Sequence, residues 1–236
     1  ICTPERLEIL LRSNENMYWA RAVSTFVVDE FHLLGEPRRG ATMEILLTRI
    51  LVSCPWSRIV ALSASMGGMD AVQKWLGQGG IQVALLDDQW RFPVLERKVV
   101  ETEDKNAFVT EKVQNVLAHD NRSLLIFVSK KNESDQLAKD LRKEFQNWAE
   151  SITSLHAGLT LKNRHERLIG LRNLTHRVVI ATTALKMGID APVTDVIVRD
   201  TYIWGQQGAN QLTYADLLQM TGRAGRRDQT GKAVVL

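Results

Sequence analysis

The run Val27-Val28-Asp29-Glu30-Phe31-His32 brings two adjacent carboxylates and an imidazole to the end of an apolar, strand-like stretch. In an open α/β sheet the last side chains of a buried strand reach the crevice at the sheet's carboxyl end, where ligands bind. There Asp29 is a candidate ligand for Mg²⁺, and Glu30, one residue on, could orient or deprotonate an attacking water. A plain polar turn after a strand has the same letters, so the pair gains meaning from its company. Ser63-Ala64-Ser65-Met66 puts small hydroxyls directly after Ile59-Val60-Ala61-Leu62. Such hydroxyls relay a hydrogen bond at a strand end or simply cap a helix. In Gln219-Met220-Thr221-Gly222-Arg223-Ala224-Gly225-Arg226-Arg227 two arginines three apart share one face if the stretch is helical. Forked guanidiniums suit phosphate oxygens. Glycine costs ~1 kcal/mol in a helix, so Gly222 and Gly225 belong where something approaches the backbone closely. Thr182, Gly188 and Asp190 follow the apolar Val178-Val179-Ile180-Ala181 and offer a hydroxyl to a phosphate and a carboxylate to a ribose.

The elements that must position these groups alternate. Thr3-Pro4-Glu5 has the layout of a helix start, with a hydroxyl cap, a proline at the first helical position and an acid in the first turn. Apolar periodicity then predicts a helix to residue 11, strand 22–29, helix 42–52, strand 58–63, helix 69–76 and strand 81–86. Charge and a proline in Asp87-Asp88-Gln89-Trp90-Arg91-Phe92-Pro93 break the period, which places a domain boundary at 92/93. The second part predicts helix 107–118, strand 123–128, helix 133–148, strand 152–155, helix 163–171, strands 177–181 and 195–199, helix 214–220 and strand 232–236. Runs such as Leu124-Leu125-Ile126-Phe127-Val128 are apolar on both faces, as strands under helices on each side must be. The expected architecture is α/β with two parallel-sheet lobes, residues 1–92 and 93–236.

With 30 Lys+Arg against 27 Asp+Glu in 236 residues, the net charge of +3 makes no polycation, so any nucleic-acid site must come from local clustering. Cys2 and Cys54 form neither a metal-ligand spacing nor a disulfide framework, which fits a reducing intracellular setting, cytoplasmic or nuclear. No apolar run approaches the ~18 residues of a membrane span. Of the tryptophans only Trp204, in a loop-like Tyr202–Gln207 stretch, is placed to touch a partner; His119, His165 and His176 read as solvated.

Taken in order, these segments resemble the DExH-box helicases of superfamily 2. Thr3-Pro4-Glu5-Arg6-Leu7 is similar to the family's first-lobe nucleic-acid motif, and Asp29-Glu30-Phe31-His32 to its Mg²⁺ and hydrolysis motif. The tail Leu33-Leu34-Gly35 and Arg39-Gly40 resembles the Ski-like branch. Ser63-Ala64-Ser65 looks like the coupling motif, with serine where threonine is more usual. Ile126-Phe127-Val128-Ser129-Lys130 and His156-Ala157-Gly158-Leu159 resemble second-lobe motifs that touch the nucleic-acid backbone. Thr182 to Asp190 and Gln219 to Arg226 resemble the last two motifs. The resemblance implies two RecA-like lobes of the phosphate-loop NTPase type, the first incomplete at its N-terminus. It also implies ATP and Mg²⁺ as cofactors, and a single strand of DNA or RNA as partner. Asp29, Glu30, His32, Gly188, Asp190, Gln219, Arg223 and Arg226 would then face the nucleotide. Thr3, Arg6, Ser129, Lys130, His156, Gly158 and Thr182 would face the strand, and Ser63 and Ser65 would couple the two.

One departure matters. The phosphate loop G-x-x-x-x-G-K-[ST], whose amides and lysine cradle phosphates, occurs nowhere in the 236 residues. The expectation is therefore a core fragment, missing the start of the first lobe and accessory domains after the second, and inactive by itself. The rival readings are a nucleic-acid clamp without catalysis and an interaction module.

Overall fold

Helix starts follow the capping chemistry. In the computed structural model, which describes residues 1–36, 39–63, 68–86, 94–182, 193–205, 208–225 and 230–236, Thr3 caps α1 (Pro4–Leu10). Its hydroxyl oxygen accepts the Arg6 N–H at 3.3 Å, and Pro4 opens the helix. A second helix, α2 (Asn14–Ala20), occupies a stretch that periodicity left blank. Its first turn is polar, and Met17 and Ala20 alone carry it onto the core around Leu11, Phe26 and Ile50.

The chain divides into two compact units, Ile1–Leu85 and Leu86–Leu236. In the first, β1 (Thr25–Val28) pairs in parallel with β2 (Arg58–Ala61), with Val28 opposite Ala61. The helix α3 (Gly40–Ser53) packs Leu46 and Ile50 beside Phe26, and Met43 and Leu47 beside Phe31 and Leu33. The short α4 (Met69–Leu76) adds Val72, Trp75 and Leu76 to the latter cluster. The strand expected at 81–86 does not form. No described neighbour pairs with it, and Ile81, Leu85 and Leu86 are exposed, so β-forming letters had no ladder to join.

The second unit holds a six-stranded, all-parallel sheet. Its order is β3 (Leu95–Val99), β10 (Gly231–Val235), β7 (Asp195–Val198), β4 (Leu124–Val128), β6 (Val178–Thr182) and β5 (Ile152–Leu155). Every residue of β4 and β6 is buried, and alternate side chains serve opposite faces. Leu124, Ile126, Val128 and Ile180 pack against α5 (Lys105–Leu117) and α6 (Lys131–Glu144). Leu125, Phe127, Val179 and Ala181 pack against Leu171 of α7 (Leu161–Arg172) and Met220 of α8 (Tyr214–Thr221). The helix expected to run to 148 ends at Glu144, and a 3₁₀ turn, Gln146–Ser151, completes it. The stretch read as a loop at 202–207 opens a hairpin, β8 (Tyr202–Gly205) with β9 (Gly208–Gln211). The aromatic and β-branched start with glycines at the bend was the available signal.

One buried cation ties helix to sheet. Arg177, 4% exposed, precedes β6 and donates to the carbonyls of Val116, Leu117, His119 and Arg122, closing the C-terminal end of α5. Its guanidinium lies 5.0 Å from the Trp148 ring centre. Arg177→Met keeps the bulk but strands those carbonyls, and should lower the unfolding free energy by about 2–4 kcal/mol in urea titrations. A loss under about 0.5 kcal/mol, the range of neutral surface changes, would mean that water replaces the guanidinium.

Candidate functional site

At the end of the first unit's sheet, the parallel register forces both strands out at one edge. Leu62 N–H donates to the Val28 carbonyl and Phe31 N–H to the Leu62 carbonyl, both at 2.8 Å. The acidic pair and the strand end leading to Ser63 therefore lie side by side, as the sequence placed them. Ser65 lies outside the described residues. Glu30 adopts a left-handed conformation, φ 52° and ψ 42°, uncommon for a side chain with a Cβ. The Asp29 carboxylate holds this turn, Oδ1 accepting the Glu30 N–H at 2.8 Å. Buried Phe31 and Leu33 anchor the 3₁₀ turn that follows, Phe31–Gly35. Asp29 and Glu30 are consequently exposed, and Glu30 Oε2 lies 3.3 Å from His32 Nδ1. Strain in a non-glycine residue beside two carboxylates is what functional turns store.

Ion pairs join α1 to this turn's support. Arg39, just before α3, donates to Glu5 at 2.8 Å, which holds the Glu5 carboxyl below its usual range. Glu8 is buried between Arg12 at 2.7 Å and Arg49 at 3.1 Å, and those two cations outweigh burial in keeping its carboxyl low. Gly40 starts α3 against the Leu34 carbonyl, 2.2 Å from where a Cβ would sit, so no larger residue fits. Thr3 and Arg6 stay on the exposed side.

In the second unit the candidates separate to opposite edges of the sheet. Ser129, Lys130, His156, Gly158 and Thr182 all lie at carboxyl ends of strands. Three of them turn inward: Ser129 and His156 are 6% exposed and Thr182 3%. Ser129 gives its N–H to Asp200 Oδ2 at 2.8 Å and its hydroxyl to Glu133 at 3.0 Å. Arg199 bridges Glu133 at 2.9 Å and Asp200 at 2.8 Å. His156 has both nitrogens engaged: Nε2 lies 3.1 Å from each Asp135 oxygen, and Nδ1 lies 3.2 Å from the Gly158 N–H. The second contact needs an unprotonated Nδ1, so the proton belongs on Nε2, facing the carboxylate. Burial works against charge on Asp135, but the Ser154 hydroxyl at 2.6 Å and the His156 ring prevail and hold its carboxyl below the usual range. Ser129 and His156, expected to grip a strand, thus bond within the loops, and of the described candidates at this edge Lys130 and Gly158 are exposed. Lys130 Nζ sits 4.0 Å above the Trp204 ring centre.

The arginine segment lies at the amino edge. Val193, just before β7, receives the Gly225 N–H at 2.7 Å and donates to the Arg223 carbonyl at 3.1 Å. The close approach expected of the glycines is internal. Gly225 takes φ 102°, and Gly231 of β10 abuts the Ala224–Gly225 peptide, leaving 2.5 Å for a Cβ. Arg97 of β3 donates to Thr221 at 3.1 Å, fastening the end of α8 that follows Gln219. Gly188, Asp190 and Arg226 lie outside the described residues. Asp135, Glu133, Arg199, Arg97 and Asp200 escaped the sequence reading, since polar pairs made between distant parts of the chain have no spacing of their own. His176, read as solvated, is half-buried against Gly170, and burial pushes its pKa down.

With this geometry in view, two family models match. The model of DEAD/DEAH box helicases covers residues 1–73, and that of the helicase conserved C-terminal domain covers residues 105–228, more than half of the chain. The chain belongs to the helicases that carry the helicase conserved C-terminal domain. Among curated relatives it is 30% identical to the ATP-dependent DNA helicase Hel308 of Pyrococcus horikoshii, over all of this chain and 37% of the relative. It is 28% identical to the ATP-dependent DNA helicase MER3 of Saccharomyces cerevisiae, over 96% of this chain and 22% of that one. Among solved structures it resembles the DUF1998 helicase MrfA bound to DNA (TM-score 0.74, 16% identity, 99% of this chain and 34% of that chain). The Mycobacterium smegmatis helicase Lhr bound to ssDNA and AMP-PNP is also similar (TM-score 0.69, 22% identity, 99% and 31%). The RecA-like α/β fold is thereby established. The chain spans little more than a third of the Hel308 relatives it matches. No described helix is long and apolar enough to cross a membrane.

The Asp135 cluster makes a pH test. An unfolded aspartate titrates near 4. A lower value in the folded state means stability that is whole above that pH and is lost as pH falls through the folded value. Asp135→Asn should therefore lower the melting temperature at pH 7 and cost much less at pH 3. An equal deficit at both pH values would show that the charge is not what the cluster uses.

Proposed function

We propose that this chain is the core of an ATP-dependent nucleic-acid helicase, residues 1–92 belonging to the first RecA-like lobe and 93–236 forming the second. The observation that carries this reading is the strained Asp29–Glu30 turn, held open to solvent at a strand edge and braced by a buried 3₁₀ turn. Two names support it from outside: the Hel308 and MER3 relatives are ATP-dependent DNA helicases.

The residues fit Mg²⁺ and ATP in part. Among the described residues no cluster of three or more His, Cys, Asp or Glu forms a metal cage. That suits Mg²⁺, which takes one or two carboxylates and completes its shell with phosphates and water. Asp29 spends one oxygen on the Glu30 N–H and keeps the other for a cation. ATP supplies the phosphoryl group whose transfer to water releases the driving free energy. Glu30 accepts the proton of the attacking water, with His32 beside its carboxylate. Arg223 and Arg226 place positive charge where phosphate charge develops. Ser63 and Ser65, following the strand hydrogen-bonded to Phe31, relay the state of that turn. Gly188, Asp190 and Gln219 complete the nucleotide contacts.

Nucleic acid is held at the carboxyl edge of the second unit by Lys130 and the Gly158 backbone, with Ser129, His156 and Thr182 setting the loops, and by Thr3 and Arg6 in the first. Contacts of this kind read phosphate rather than base, so binding is sequence-independent and salt-sensitive. The phosphate loop, absent from these residues, is supplied by chain outside them in the whole protein, and these 236 residues alone turn over no ATP.

In the full-length protein, Glu30→Gln should retain ATP binding but lose nucleic-acid-stimulated hydrolysis by about two to four orders of magnitude, the worth of a general base. Turnover within about threefold of the parent, far inside that range, would remove Glu30 from the reaction. No hydrolysis in the parent protein would favour the non-catalytic clamp.

A further inference from the structure

Lys130 is fixed by something other than its own backbone. It occupies the position before α6 without a capping hydrogen bond from its side chain, and its ammonium lies 4.0 Å above the centre of the Trp204 ring. Trp204 is 48% exposed, on the first strand of the 202–211 hairpin, edge-on to Tyr202 with ring centres 6.4 Å apart. Both partners spring from one buried anchor. Asp200, 4% exposed and two residues before the hairpin, accepts the Ser129 N–H at 2.8 Å immediately before Lys130. Arg199 and Glu133 brace the same point, and Leu212 N–H closes the hairpin root on the Thr201 carbonyl at 2.8 Å. The backbones that carry the ammonium and the ring are thus tied near a common carboxylate.

We infer that Trp204 is a positioning residue for the phosphate grip of Lys130. This rests on the reading of Lys130 as a strand contact. A free lysine must give up rotamer freedom to hold a phosphate, and one already resting on an aromatic face has given up part of it beforehand. The ring attracts the cation without consuming a hydrogen-bond acceptor, so N–H groups of the ammonium remain to donate to a phosphate. The hairpin and the end of β4 then act on the strand as one coupled contact.

The test is a double-mutant cycle in the full-length protein, reading affinity for a fluorescent single-stranded oligonucleotide across a salt series. Lys130→Ala should reduce the log–log salt slope by about 0.7, the value of one single-strand phosphate contact. Trp204→Leu, which keeps apolar bulk without the ring face, should weaken binding about two- to fivefold when Lys130 is present. It should change nothing when residue 130 is alanine. Trp204→Phe, which keeps a ring, should stay near the parent in both backgrounds and controls for folding of the hairpin. An unchanged salt slope in Lys130→Ala overturns the assignment of Lys130 itself. A normal slope loss with Trp204→Leu weakening both backgrounds equally overturns the inference alone, because Trp204 then meets the strand by itself.

Discussion

The structure depends on a parallel sheet buried on both faces. With helices covering each side, β4 and β6 admit no exposed residue along their length, so polar chemistry is pushed to the strand ends. Parallel pairing puts all ends of one kind along the same edge. Residues far apart in sequence, from Ser129 to Thr182, therefore reach one rim without any of them being needed to pair strands. The opposite rim receives the returning chain of α8, and five residues at ~3.3 Å each separate the two. One short sheet thus isolates the arginine segment from the proposed strand contacts.

Within each rim, side chains divide between holding and offering. Ser129 and His156 hold: they are buried and hydrogen-bonded within the loops, and a polar group committed in this way cannot leave without the cost of an unmet partner. Asp29 and Glu30 offer, and their exposure follows from a backbone turn that their neighbours Phe31 and Leu33 pin from below. The main chain of Arg223 is fixed through Val193, and the Ala224–Gly225 peptide beside it by the crowded Gly231 contact.

What could be read in the letters follows the range of the physics. Thr3-Pro4-Glu5 and the apolar runs at 124–128 and 178–181 were legible because capping and two-faced burial act over a few residues. The acid pair stood out by type, and the structure puts it exposed after a strand. Asp135, Asp200, Glu133 and Arg199 were not legible, since each acquires a partner 21, 66 or 71 residues away in sequence. The false strand at 81–86 shows the same limit from the other side: Ile81-Gln82-Val83-Ala84-Leu85-Leu86 has the composition of a strand, and pairing is a property of neighbours.

Under the proposed function, the inward turn of Ser129 and His156 bears on how a strand could be held without reading its sequence. A base-reading site needs side chains with free donors and acceptors directed at base edges. Here the candidates with that chemistry, His156 and Ser129, have their polar groups occupied by Asp135, Gly158, Glu133 and Asp200. Of the described candidates at this edge, Lys130 and Gly158 are the exposed ones, and an ammonium and a glycine backbone meet a phosphate equally well beside any base. Under the proposed function, indifference to sequence would then follow from internal hydrogen bonds that withdraw the discriminating groups.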